Sequence, residues 1–343
     1  MGDRLVLVGA AQGKRTEYFL RAAHSLGCIA EVFSYAEYPM HSRVGDRVKL
    51  DPPPIHESEL AYLDKFTDWY QQALAQIERL EGIRFLNHPS EIWAALDKCA
   101  TKIRLLQNGV PTPAYYPKGA SSYEQLRALM EQEHVYRVFI KPRYGSGAAG
   151  VAAFCIQPKN GRELLYTALQ LEDGRLFNTK RVVKSSNVAE NRLLLDLLLS
   201  QQTIVEQWQP KDVLSDGITY DLRAVCQQGE LRFLVPRGAH SPITNLHLND
   251  MALDLEQLQI SPELAAQIQD CCRQAARCFP RLHTVGLDLL IPPRNNGAIR
   301  PMVIEVNGQG DLIYKDIFAH NTIYQKQVEY LIELEKETIE NEP

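Results

Sequence analysis

The sequence predicts a mixed α/β and α+β protein built as three successive units, and three observations predict it. A strand–turn–helix–strand pattern opens the chain. Near its middle a strand runs into a glycine-rich loop and out into a second strand. Near its end two apolar strands carry carboxylates. The units are expected at residues 1–90, 91–202 and 203–343.

Residues 5–8 read as a buried strand and 9–13 as a small-residue turn. Residues 16–26 have helical spacing (Tyr18, Phe19, Ala22, Ala23, Leu26), closed by Gly27. Residues 29–33 complete a βαβ start. Pro52, Pro53 and Pro54 mark an extended loop, followed by a helix at 62–80, a strand at 83–86 and a turn at 87–90. In the second unit residues 91–108 read as one helix, stopped by Gly109-Val110-Pro111. A helix at 121–133, neighbouring strands at 138–141 and 151–156, and a helix at 193–201 follow. The third unit has strands at 203–207, 220–226 and 231–236, a helix at 262–279, and strands at 285–291 and 303–306 joined by a turn at Asn295-Asn296-Gly297. The acidic helix at 323–338 reads as a solvated face.

Composition excludes several classes. The 343 residues are 45% hydrophobic and 23% charged, enough to bury a core. A net charge of -5 leaves no electrostatic footprint for nucleic acid. The first apolar stretch is too short for a signal peptide, and no run is long enough to span a bilayer. Seven scattered cysteines, with Cys271, Cys272 and Cys278 off any zinc spacing, read as free thiols, so the expected location is cytoplasmic.

Phe139-Ile140-Lys141-Pro142-Arg143-Tyr144-Gly145-Ser146-Gly147-Ala148-Ala149-Gly150-Val151 carries the first chemistry. Glycines let backbone N–H groups approach a phosphate, and a lysine adds a point charge. On the last strands, alternation puts Glu305 and Asn307 on one face, with Asp288 on the neighbouring strand. Two carboxylates and an amide oxygen make a hard oxygen site suited to Mg²⁺ with nucleotide phosphates. A third segment, Ala95-Leu96-Asp97-Lys98, opens a helix that ends at Val110-Pro111. Gly9 to Thr16 imitates a phosphate-binding P-loop but is one residue short between its glycines and has Arg15 where Ser or Thr belongs.

In this order, the three segments resemble the ATP-grasp superfamily over Asp97 to Asn307. The resemblance implies an N-terminal βαβ (pre-ATP-grasp) lobe followed by two α+β lobes that sandwich the nucleotide. It implies ATP and Mg²⁺ (or Mn²⁺) as cofactors. Lys98, preferred over Lys102, and Lys141 match the family's phosphate-contacting lysines, and Gly145, Ser146, Gly147 and Gly150 its loop. The hinge strand matches Ile204 to Trp208: backbone groups of Gln207 and Trp208 would read adenine, Glu206 would accept from its amino group, and Asp212 would approach the ribose. Asp288, Glu305 and Asn307 match the metal ligands.

Within the superfamily the chain most resembles the RimK-like branch of ribosomal-protein glutamate ligases, through Tyr220-Asp221-Leu222-Arg223 and Asn245-Leu246-His247. Arg223 and Arg237 would then face the transferred phosphoryl group or substrate carboxylate, or act as structural ion pairs. Two departures stand out. Gly308-Gln309-Gly310-Asp311 replaces the branch's Pro-Gly turn, and residues 157–202 are longer than usual, with a basic stretch at 180–184 read as a solvated hairpin. The implied activity is an ATP-dependent carboxylate–amine (or thiol) ligase passing through an acylphosphate. Its partners would be a small-molecule or peptide carboxylate and an amine acceptor, with no nucleic acid or membrane; a homo-oligomer is left open. The alternatives are an ATP-grasp-fold kinase using His240, His247 or Asp311 as base, and a non-catalytic ATP-binding regulator.

Overall fold

The computed structural model describes residues 4–55, 57–117, 119–145, 149–244, 251–294 and 300–334. Ser146, Gly147, Asn245 to His247, the turn at 295–297 and residues 335–338 lie outside them.

The first unit contains β1 (Leu5–Val8), α1 (Lys14–Ser25), β2 (Ala30–Phe33), α2 (Tyr38–His41), β3 (Arg47–Leu50), α3 (Leu60–Glu78) and β4 (Arg84–Phe85). Its parallel sheet runs β2-β1-β3-β4. Every residue of β1 is buried, as a strand covered on both faces requires. The sequence reading gave no strand at β3, whose Arg-Val-Lys-Leu pattern reads as polar; all four residues are nevertheless buried. Lys49 is tolerated there because it pairs with Asp51 and, at 2.8 Å, with Asp311.

Residues read as one helix form two, α4 (Pro89–Leu96) and α5 (Lys98–Gln107). The break is at Asp97, whose ψ of 101° leaves the helix so that its side chain can cap α5, accepting from the Cys99 and Ala100 amides. The central unit follows with β5 (Tyr115–Tyr116), α6 (Tyr123–Gln132), β6 (Arg137–Pro142), β7 (Ala152–Ile156), β8 (Glu163–Glu172), β9 (Arg175–Ser185), α7 (Val188–Leu199) and β10 (Thr203–Gln207). These strands make a six-stranded antiparallel sheet, β5-β10-β6-β7-β8-β9. The boundary expected at 202 therefore cuts through this sheet, since β10 pairs with β6 and β5. The long 157–202 segment is the β8–β9 hairpin plus α7, and Lys180, Arg181 and Lys184 are exposed on it. Leu126 and Met130 of α6 and Leu195, Leu198 and Leu199 of α7 pack beneath Val138, Ile140 and Phe154.

The third unit has β11 (Thr219–Gln227), β12 (Glu230–Ala239), β13 (Met251–Ala252), α8 (Pro262–Arg277), β14 (Thr284–Leu290) and β15 (Met302–Asn307). Its antiparallel sheet runs β13-β12-β11-β14-β15. Amphipathic α8, capped by Ser261, lays Leu264, Ile268, Cys271, Cys272, Ala275 and Ala276 against the sheet. The chain then returns to the first unit through α9 (Tyr314–Ala319) and α10 (Thr322–Glu333). The C-terminal helix is not the solvated face expected: Ile323, Tyr324, Val328 and Leu331 are buried, and the last three join Leu5, Leu7 and Phe19 in one cluster. All seven cysteines are free. Among the described residues no helix is long and apolar enough to cross a membrane.

Candidate functional site

A cleft lies between the central and third sheets. Strand alternation aims its side chains. On β6, Phe139 and Lys141 face the cleft while Val138 and Ile140 face the core. Asp221 of β11, Arg237 of β12, Asp288 of β14 and Glu305 of β15 line the opposite wall.

Glu206, expected to accept from a ligand's amino group, is taken up otherwise. It is 2% exposed and bridges Lys102, at 2.7 Å, and Lys141. Burial on its own would raise this carboxyl, but Lys102 and Lys141 hold it at about 2. Burial pulls Lys98 and Lys102 below the usual lysine range. Lys141 stays above that range because, against the burial penalty, Glu206, Glu305 and Asp288 all favour its charge. Lys98 donates to the Gly145 carbonyl at 2.7 Å and sits 3.9 Å from Glu305, at the cleft's inner end. Lys102 instead bonds Thr112 and the Pro113 carbonyl beneath it.

An alternating row of charge crosses the third sheet. Lys211 lies 3.3 Å from Asp221, Asp221 2.7 Å from Arg237, Arg237 3.2 Å from Asp288, and Asp288 3.1 Å from Arg223. Six cations (Lys98, Lys102, Lys141, Lys211, Arg223, Arg237) thus meet four carboxylates (Glu206, Asp221, Asp288, Glu305), an excess of positive charge suited to an anion. Arg237 is the buried centre of this row, its side chain 4% exposed.

Arg223, Asp288 and Glu305 stand directly across from one another on three adjacent strands. A bulge makes this possible. Asp288 pairs with Glu305 but Leu289 pairs with Val303, so Ile304 is the extra residue. Val303 then stays in the core while Glu305 faces the cleft. Asn307 projects two residues on, opposite Gly286. A Cβ at Gly286 would meet the Gly310 carbonyl oxygen at 2.5 Å and Arg223 Nη1 at 2.9 Å, so only glycine leaves space for both. Asp288 Oδ1 and Asn307 Nδ2 are buried with no hydrogen bond. Two carboxylates and the Asn307 amide oxygen are a donor set that fits a hard divalent cation, with Asp288 also ion-paired to Arg223 and Arg237.

The glycine-rich segment is anchored at its start. Arg143 holds both oxygens of Asp97, at 3.0 and 2.6 Å, and Tyr144 stacks on Trp93 at 4.8 Å. Asp97→Ala is expected to cost about 1–2 kcal/mol through the lost cap. Thermal melts should show it, with Asp97→Asn recovering the cap but not the Arg143 pairing. Several expected ligand contacts are placed elsewhere. Gly150 donates its amide to Asn178, and a Cβ there would strike Pro142 and Leu60, so its glycine serves packing. Gln207 lines the cleft, but its amide is donated to Ala114. Trp208 donates its amide to Arg137 and packs its ring on Phe139 and Tyr166. Asp212 points away, held by Arg294 at 2.7 Å and Tyr220 at 2.6 Å. Gln209, Lys211 and Thr244 line the cleft without having been singled out from sequence. For Asp221 the signal was present: it alternates with Arg223 on β11.

No protein-family profile matches the sequence, and no curated protein matches it. Solved structures do. One is the ATP-grasp ligase PsnB complexed with a phosphomimetic variant of a minimal precursor, Mg and ADP (TM-score 0.55, 15% identity, 97% of each chain covered). A second is the D-cycloserine synthetase DcsG (TM-score 0.58, 14% identity, 95% of this chain and 99% of that one). A third is the macrocyclase MdnC from Microcystis aeruginosa MRC bound with precursor peptide MdnA (TM-score 0.56, 13% identity, 96% and 99%). The chain has the ATP-grasp fold.

In this ATP-grasp chain a second cavity, of about 200 Å³, adjoins the cleft, with Gly145 and Glu305 lining both. Arg15, α3, α4, Arg223 and residues 306–310 enclose it. The Gly308-Gln309-Gly310-Asp311 turn has a structural reason here. Gln309 accepts from Tyr70 at 3.0 Å and donates to the Leu50 carbonyl at 2.9 Å, while Asp311 holds Arg15 and Lys49. The turn thus bolts the third sheet to the first unit. Asp311, fixed by those cations and by Gln327, is not placed to act as a base. Lys14 is half exposed beside Glu17 and does not line either cavity.

Proposed function

We propose that this chain is an ATP-dependent carboxylate–amine (or thiol) ligase. The observation that carries the reading is the junction of the two cavities at Gly145 and Glu305. ATP in the cleft would present its γ-phosphate there, against Lys98 and Lys141, while an acid in the second cavity reaches the same point. The carboxylate oxygen would attack the γ-phosphorus, and ADP would leave. The amine would then attack the acyl carbon, expelling phosphate and losing a proton. Asp288, Glu305 and Asn307 would hold Mg²⁺ (or Mn²⁺), which neutralises phosphate charge. The remaining work is positioning and charge neutralisation by Lys98, Lys141 and Arg223, with Arg237 orienting Asp288. PsnB and MdnC, structures with bound precursors, make a peptide carboxylate one candidate class. Kinship to the RimK-like branch is part of the proposal and rests on the Asp221–Arg223 strand. We place the protein in the cytoplasm on the same footing.

The test is ADP release from MgATP with pooled carboxylic acids and hydroxylamine, which traps acylphosphates as hydroxamates. A hydroxamate lost in Lys141→Ala is expected. ADP without hydroxamate would point to a kinase, and MgATP binding with no ADP across pools that include peptides would leave a regulator.

A further inference from the structure

We infer that the second cavity takes a small carboxylic acid with an uncharged apolar or aromatic body, in preference to a dicarboxylate or an acidic peptide side chain. The inference rests on the ligase reading for which end of the cavity faces the chemistry. One wall is a single face of α3, formed by Leu63, Phe66, Thr67 and Tyr70 at helical spacing. The facing wall is Ile92, Ala95 and Leu96 of α4, again one helical face. Ile55, Pro52 and Pro53 close the outer side. These side chains offer a body no charge to pair with.

Among the described residues, charge enters only at the inner end. The ionised side chains lining the cavity are Arg15, Arg223 and Glu305. Arg15, with its neighbour Lys49, is already matched by Asp311 and Asp51. Arg223 is not fully matched, because it ends the row Lys211, Asp221, Arg237, Asp288, Arg223, in which three cations share two carboxylates. That row keeps net positive charge, and Arg223 Nη1 is buried with no hydrogen-bond partner among the described residues. An occupant's carboxylate is therefore drawn to Arg223, beside the Glu305 junction, with its body laid between α3 and α4. A second negative charge on that body would meet only apolar side chains and lose its hydration without return. One apolar group buried on such a wall is worth roughly 10- to 200-fold in discrimination.

The experiment is isothermal titration of the full chain, saturated with MgADP, using phenylacetate, L-phenylalanine and L-leucine against succinate, L-glutamate and a short glutamate-containing peptide. The apolar acids are expected to bind at least about tenfold more tightly than the others. Ile55, 41% exposed at the mouth, supplies a variant that should fold normally. Ile55→Glu and Ile55→Lys lose the same apolar contact but add opposite charges. Ile55→Glu should weaken phenylacetate several-fold more than Ile55→Lys, with MgADP affinity equal in both. Equal or tighter binding of L-glutamate or the peptide, no binding of any acid, or no dependence on the sign at residue 55 would each overturn the inference. Failure of MgADP itself to bind would instead sink the ligase reading; the acids, titrated without nucleotide, would still decide the cavity's preference.

Discussion

Glu305→Ala is expected to lower MgATP-dependent turnover by roughly a hundred- to a thousandfold or more, the loss typical when one group that stabilises transition-state charge is removed. Among the described residues Glu305 is the one carboxylate lining both cavities, and it stands in register with Asp288. Its side chain is 25% exposed and its one ion pair, with Lys98, is 3.9 Å long, so little folding energy depends on it. The melting temperature should therefore move little while ADP release collapses. Asp288→Asn makes the contrast. Asp288 is buried and anchors both Arg223 and Arg237, so that variant should lose stability as well as turnover. Near-normal ADP release by a folded Glu305→Ala protein would remove this residue from the metal site and with it the proposed chemistry.

The parts of the fold legible in the sequence are those whose signal is local. Strand β10 was read residue for residue, and β14 and β15 nearly so, because apolar runs between turns leave few alternatives. Lys141, Asp288 and Glu305, which line the cleft, were singled out because glycines after a strand and carboxylates inside apolar strands are locally anomalous. Strand β3 was missed because what makes Lys49 compatible with burial is Asp311, 262 positions away. The break at Asp97 was missed for a related reason: helical periodicity continues through it, and only Arg143 shows why the chain turns there. Glu206 was assigned to a ligand through the resemblance of Ile204 to Trp208 to the family's adenine-holding hinge strand. Its two lysine partners come from α5 and β6, and no spacing in the sequence announces that they converge. The Ile304 bulge is equally silent, since strict alternation would put Val303 and Glu305 on one face.

Glu206→Gln is expected to destabilise the protein by about 3–5 kcal/mol, the cost of leaving buried charge without its partner. The amide is nearly the same size, so packing is preserved while Lys102 and Lys141 lose their shared counter-charge. The loss should depend on pH with a definite sign. The folded carboxyl sits at about 2 against an ordinary 4.5, so its contribution is complete above about 4.5 and is lost as pH falls toward 2. The stability gap between the wild-type and Glu206→Gln proteins, measured by thermal melts, should therefore be widest near neutrality and close through that window. A gap independent of pH would mean that Glu206 acts through shape rather than charge. Nucleotide supplies the second readout. Lys141 lines the cleft and is bonded to Glu206, so an arriving phosphate must share it. In Glu206→Gln the γ-phosphate becomes the missing counter-charge, and a non-hydrolysable MgATP analogue should raise the melting temperature more in the variant than in the wild type. An equal rise in both would place Lys141 outside the phosphate site, however well it lines the cleft.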